Sequence, residues 1–163
     1  MNEVHTLIDL RRTSTARTVQ GFPLDEVLAD LRTALTSRAI DERCVALTRQ
    51  SRAYFQISGA GHEALLTAVA RSLRPGHDWF FPYYRDLALA LALGVSPLDV
   101  LLGSVGAATD PASSGRQLPC HWSDPELHLV TQSSPTGSQC LPAVGCAEAG
   151  RYILEHPGMP RTE

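Results

Sequence analysis

The sequence predicts a helix-rich α/β architecture with few short parallel strands and an incomplete sheet. Three observations predict it. Alanine and leucine abound while aromatic residues make up only 6% of the 163, which favours close-packed helices over a β-sandwich. Segments of helical apolar spacing alternate with short apolar runs, the pattern of layered α/β domains. Only two or three such runs are visible, too few for a free-standing doubly wound sheet.

Residues 1–22 mix Arg, Thr, Ser and Gly without a stable period and are expected to form a flexible arm; 23–163 is the expected domain. From Pro23, the residues Leu24, Val27, Leu28, Leu31 and Leu35 share one helical face, and Ile40, Cys44, Val45 and Leu47 suggest a second helix. "AYFQISGAG", Ala53 to Gly61, reads as a short β-rich or extended piece. Its glycines lead into a helix over His62–Leu73, carried by Leu65, Leu66, Val69 and Leu73 and stopped by Pro75-Gly76. "DWFF", residues 78–81, reads as a buried strand, and Asp86–Leu93 as a Leu/Ala helix ended by Gly94. Ser96-Pro97-Leu98-Asp99 supplies a cap, a first-turn proline and an acid three residues after the cap, so another helix is expected to about Leu102. Gly103–Pro119 is a long Gly/Ala/Ser loop. A strand over Leu127–Thr131, the loop "QSSPTGSQ" and a helix of small residues over Leu141–Glu155 complete the series, and "EHPGMPRTE" reads as a loop leading onward.

Composition excludes several kinds of function. A net charge of −3 gives no basic footprint for nucleic acid. All 14 basic residues are arginine, so neither a Schiff-base lysine nor a P-loop lysine is present. Cys44, Cys120, Cys140 and Cys146 follow no CxxC spacing and read as reduced thiols of a cytoplasmic protein. Cys120, His121, His128, Cys140 and Cys146 match no zinc-ligand pattern. The longest apolar run, Leu87 to Val95, falls well short of the ~20 residues a membrane-spanning helix needs.

Two clusters stand out. In "PYYRD", residues 82–86, a helix so apolar that it must be buried begins directly after Tyr83, Tyr84 and Arg85. The plain reading is a helix start whose arginine pairs with Asp86. The functional reading is an anion site, because helix N–H groups and a guanidinium both suit phosphate oxygens. The second cluster, "SSPTGSQ", Ser133 to Gln139, is either a capped turn or a set of hydroxyls and carbonyls for a ligand ring or a monovalent cation. A third stretch, "GRQLPCHW", reads as a solvated loop anchored by Trp122.

The order of "LTRQSRAYFQISGAGHEA", "DWFFPYYRD", "SSGRQLPCHW" and "SSPTGSQCLPAVGCAEAGR" resembles the alpha subunit, or alpha half, of the thiamine-diphosphate-dependent decarboxylating component of 2-oxo acid dehydrogenase complexes. The similarity runs from about Pro23 to Glu155, and "SSP" is similar to the branched-chain (2-oxoisovalerate) type. The resemblance implies the N-terminal part of a thiamine-diphosphate-binding fold. It implies that Tyr84 and Arg85 hold the cofactor's diphosphate, with Tyr83 lining the pocket, and that Ser134 and the Thr136 backbone meet the aminopyrimidine ring. It implies potassium at Ser133, Pro135, Ser138 and Gln139, and magnesium held by a Gly-Asp-Gly segment outside this chain. Its implied partners are a beta subunit or beta half, a lipoyl acyltransferase and a 2-oxo acid substrate, with no catalytic residue in this chain. Ser51 stands where the family usually carries glycine. A non-catalytic binding module docking on a partner subunit remains the alternative, and either way the segment alone is expected to expose apolar surface.

Overall fold

A computed structural model describes residues 17–158. Its elements run β1 (Thr18–Val19), β2 (Phe22–Pro23), α1 (Leu24–Arg49), α2 (Glu63–Ala70), α3 (Leu87–Leu93), α4 (Pro97–Ser104) and α5 (Cys140–Glu155). β1 and β2 pair antiparallel across Gln20 and Gly21, whose φ angles of 52° and 87° suit a two-residue hairpin turn. Residues 17–22 of the expected arm belong to this hairpin region. Residues 1–16 of that arm and 159–163 of the closing loop lie outside the described residues.

The two opening helices expected from the apolar pattern are one continuous helix of 26 residues. Thr36-Ser37-Arg38-Ala39 contains neither glycine nor proline, so nothing interrupts the backbone hydrogen bonds. What changes there is the buried face. Leu28, Leu31 and Leu35 in the first half are exposed, whereas Ile40, Cys44 and Leu47 in the second half are buried. The shift in apolar phase marks a change of neighbour along the same helix.

α3 lies at the centre. Leu87, Ala90 and their neighbours pack with Ile40 and Cys44 of α1, Val100 of α4 and Trp122. Ala88, Leu89 and Leu93 face the other way, toward Leu66 of α2, Phe80 and Leu129. Each buried leucine contributes about 1.5–3 kcal/mol relative to exposure, so a short helix of weak intrinsic stability is held by its surroundings. α2 is clamped to α1 by ion pairs of Arg71 with Glu26 and Asp30 and of Arg38 with Glu63. The Ser96 side chain caps α4 by accepting from the Asp99 N–H at 3.1 Å.

The expected parallel strands are reduced to a single bridge. Phe80 and Leu129 pair in parallel, with the Phe80 N–H donating to the His128 carbonyl at 3.0 Å and the Val130 N–H to the Phe80 carbonyl at 2.9 Å. Among the described residues the only ladder is the antiparallel β1–β2 pair, and Ala53–Gly61 is irregular, with a bend at Tyr54 and a turn at Ala60-Gly61 and no strand partner. Its Ser58 and Gly59 bond instead to a side chain of α1. The Gly103–Pro119 stretch begins inside α4 and then folds around buried Asp110, whose carboxylate accepts from the N–H groups of Ala112, Ser113 and Gly115 and from the Ser113 hydroxyl. α5 has no buried residue, and Leu141 and Val144 on it are 82% and 66% exposed.

Ser51, which follows the C-cap residue Gln50 of α1, has φ 55°, the left-handed region that disfavours a side chain. The turn therefore keeps the geometry a glycine would adopt. Ser51→Gly is expected to stabilise the fold by about 0.5–1 kcal/mol, read as a higher urea midpoint with an unchanged slope; a lower midpoint would show that the Ser51 conformation is unstrained.

Candidate functional site

The 82–86 turn is seated on the Ser58–Gly59 segment. A Cβ on Gly59 would lie 2.6 Å from the Arg85 carbonyl oxygen, so the two backbones meet at a distance only glycine permits. That segment is fixed from below by Asp41 of α1, 6% exposed. One oxygen of its carboxylate accepts the Ser58 hydroxyl at 2.7 Å and the Gly59 N–H at 3.1 Å. The Ser58 carbonyl in turn accepts Arg85 Nη1 at 2.8 Å. A chain of contacts thus runs from the buried side of α1 to the guanidinium.

Arg85 does not pair with Asp86. The Asp86 carboxylate accepts the Tyr83 N–H at 2.8 Å, and burial pushes its pKa up. Asp86 is also the N-cap residue of α3, so a carboxylate already stands at that helix end. The capacity to hold an anion accordingly rests on the side chains before the helix, not on the helix dipole. Arg85 lies 5.5 Å from the centre of the Tyr84 ring, within cation–π range, and among the described residues it takes part in no ion pair. Tyr83 and Tyr84 lean together at 4.0 Å. The hydroxyls of Tyr83 and then Thr136, with the charge of Arg85 adding to them, draw the Tyr84 phenol below its ordinary pKa.

Thr136 belongs to the other cluster, and the structure brings the two together. His121, 5% exposed, lies between them, its ring 6.4 Å from that of Tyr84 and its Nε2 2.9 Å from Ser134 Oγ. Its Nδ1 is 3.0 Å from the Pro119 carbonyl. Tyr83, Tyr84 and Arg85 therefore share one surface with Ser134 and Thr136. Ser133, Pro135, Ser138 and Gln139 form the adjoining turn: Ser138 donates its hydroxyl to the Ser133 carbonyl at 2.9 Å and its N–H to the Pro135 carbonyl at 3.0 Å. The Gln139 carbonyl accepts the Ala143 N–H of α5 at 3.1 Å, leaving its side-chain amide for any further contact.

Three residues escaped the sequence reading of this surface: Asp41, Ser58 and His121. Asp41 interrupts the buried face of α1 between Ile40 and Cys44, and a lone carboxylate on an apolar stripe is the signal that could have found it. His121 sits beside Cys120, whose thiol burial pushes up to about 12. That thiol is protonated at neutral pH and is no nucleophile, and the histidine faces Ser134 instead.

The segments carrying these residues lie within one stretch, 31–156, that matches the model of a dehydrogenase component. The chain belongs to the Dehydrogenase E1 component family, whose model matches residues 31–156. Within that family it is similar to branched-chain alpha subunits. It is 41% identical over 131 residues to the 2-oxoisovalerate dehydrogenase subunit alpha of Bacillus subtilis (strain 168), covering 80% of this chain and 40% of that protein. It is 31% identical over 121 residues to the subunit of the same name from Pseudomonas aeruginosa, covering 74% of this chain and 29% of the relative. The mitochondrial subunit of Homo sapiens is 28% identical over 130 residues, with 80% and 29% covered. The chain thus spans less than half the length of these curated relatives.

Two outcomes test the geometry. Tyr84 is expected to ionise below the ordinary value of about 10 in an absorbance titration, and Tyr84→Phe should remove that early step; a curve whose low-pH edge is unchanged in Tyr84→Phe would contradict the arrangement. Asp41→Ala should cost about 1–3 kcal/mol of stability, since the Ser58 and Gly59 donors lose their buried acceptor, and a change below ~0.5 kcal/mol in chemical denaturation would show that the segment is held otherwise.

Proposed function

We propose that this chain is part of the thiamine-diphosphate-dependent decarboxylating component of a branched-chain 2-oxo acid dehydrogenase complex. The reading is supported above all by one observation: a half-buried guanidinium and two phenols share a surface with the Ser134–Thr136 loop. An ion with several negative oxygens, such as a diphosphate, suits a guanidinium that keeps donors to spare beside phenolic hydroxyls. The donor set fits the group. Tyr84 and Arg85 would hold the diphosphate, Tyr83 would line the pocket, and Ser134 with the Thr136 backbone would meet the aminopyrimidine. Residues 23–163 would then form the N-terminal part of a thiamine-diphosphate-binding domain.

Ser133 and Pro135 carbonyls and the Ser138 hydroxyl are close-set hard oxygens, a donor chemistry that suits potassium; Gln139 would add its amide oxygen. Magnesium ligands are proposed to come from outside this chain. Bound thiamine diphosphate would supply the electron sink for decarboxylating a 2-oxo acid, with the acyl group passing to a lipoyl group of an acyltransferase partner. This chain's residues would bind and orient the cofactor, and a beta subunit or beta half would complete the site. All four cysteines are free thiols, in keeping with a reducing compartment, proposed to be the cytoplasm. No helix among the described residues is long and apolar enough to cross a membrane.

The test is reconstitution of the complete E1 assembly carrying this segment. Turnover of 2-oxoisovalerate in preference to pyruvate, dependent on thiamine diphosphate, is expected. Arg85→Ala should weaken cofactor binding by about 2 to 4 kcal/mol, roughly 30- to 1,000-fold. An assembly that binds its partner subunit yet stays inactive would favour a non-catalytic docking module, and unchanged cofactor affinity in Arg85→Ala would remove Arg85 from the site.

A further inference from the structure

His121 is buried, polar and outside every role assigned so far. Its two ring nitrogens face different kinds of partner. The Pro119 carbonyl, 3.0 Å from Nδ1, can only accept, so Nδ1 carries the ring proton. In the neutral ring Nε2 is then the acceptor, and the group 2.9 Å from it is the Ser134 hydroxyl. The Ser134 hydroxyl hydrogen therefore points at the imidazole. Its remaining capacity toward a ligand is acceptor only, through the Oγ lone pairs and its own carbonyl. Pro119 and His121 end the segment 103–121, which is folded around Asp110, and Trp122 beside them is buried in the core with α3. The acceptor atom is thus tied to the protein interior, whereas Ser134 itself stands on an exposed loop.

We propose that His121 is a positioning residue for the candidate cofactor site: by holding the Ser134 hydroxyl as a donor to its Nε2, it fixes the 133–136 loop with acceptors turned to the ligand. This selects an N–H donor on the ligand, and it rests on the reading that the loop meets an aminopyrimidine, whose exocyclic amino group is such a donor. The diphosphate end, held by Arg85 and Tyr84, does not depend on it. A ligand's two ends are therefore controlled by separate residues, and that separation can be measured.

The experiment compares thiamine diphosphate with inorganic pyrophosphate by calorimetry on the complete E1 assembly carrying wild-type chain, His121→Phe or His121→Gln. Phenylalanine keeps bulk without an acceptor; glutamine restores an amide oxygen. His121→Phe is expected to weaken thiamine diphosphate about tenfold while pyrophosphate affinity stays within about twofold, and His121→Gln should recover most of the loss. In the wild type, imidazole 15N shifts should report the Nδ1–H tautomer. Equal losses for both ligands in His121→Phe, no loss for either, no rescue by glutamine, or the opposite tautomer would overturn the role. Wild-type assembly binding thiamine diphosphate no better than pyrophosphate would bring down the cofactor reading itself, and the role of His121 with it.

Discussion

Ala90 is wholly withdrawn from solvent, with Leu87, Ala88 and Leu93 at 3% exposure or less, and most of the structure follows from that burial. Seven residues of leucine and alanine make a helix too short to persist alone, so α3 exists because α1, α2, α4, Phe80, Trp122 and Leu129 surround it. Whatever immediately precedes such a helix is carried toward the interior. Here that is Tyr83-Tyr84-Arg85-Asp86, and the close approach of Gly59 to the Arg85 carbonyl fixes where the turn comes to rest. The burial of an apolar helix thereby becomes the placement of a cation.

The second determinant is polar and lies beneath the first. Asp41 reaches from α1 to Ser58 and Gly59, and Ser58 reaches to Arg85. Further along the chain Asp110 gathers the 110–115 loop, and His121, a few residues on, contacts Ser134. Two buried carboxylates each organise an irregular segment that no strand ladder supports. This is how a region with little regular secondary structure still places specific side chains.

The parts of the fold legible in the sequence are those set by local chemistry. Ser96-Pro97 and Asp99 specify the start of α4, Gly94 the end of α3, and the Leu/Ala run its burial; each depends on residues a few positions apart. The continuity of α1 is not legible, because a phase shift in the apolar pattern looks the same whether a helix breaks or changes neighbour. Around Phe80 and Leu129 the apolar runs predict strands but form a single parallel bridge, since β-favouring residues express a ladder only when further strands lie alongside. For the site, the type of each residue in PYYRD and SSPTG was legible, but not that Arg85 would ignore Asp86 for a carbonyl 27 positions away. Asp41, Ser58 and His121 act across long separations, which a single sequence does not encode in any local pattern.

Lysine is absent from the sequence, so arginine is the strongly basic side chain open to an anion, and arginines can be observed one by one. The most direct measurement follows the side-chain Nε–Hε signals of all 14 arginines by NMR while inorganic pyrophosphate is titrated into the protein. A saturable shift is expected at Arg85, preceding any change at the surface-paired Arg71 and Arg151. Uniform, non-saturating shifts across the arginines, with Arg85 no different from the rest, would contradict it.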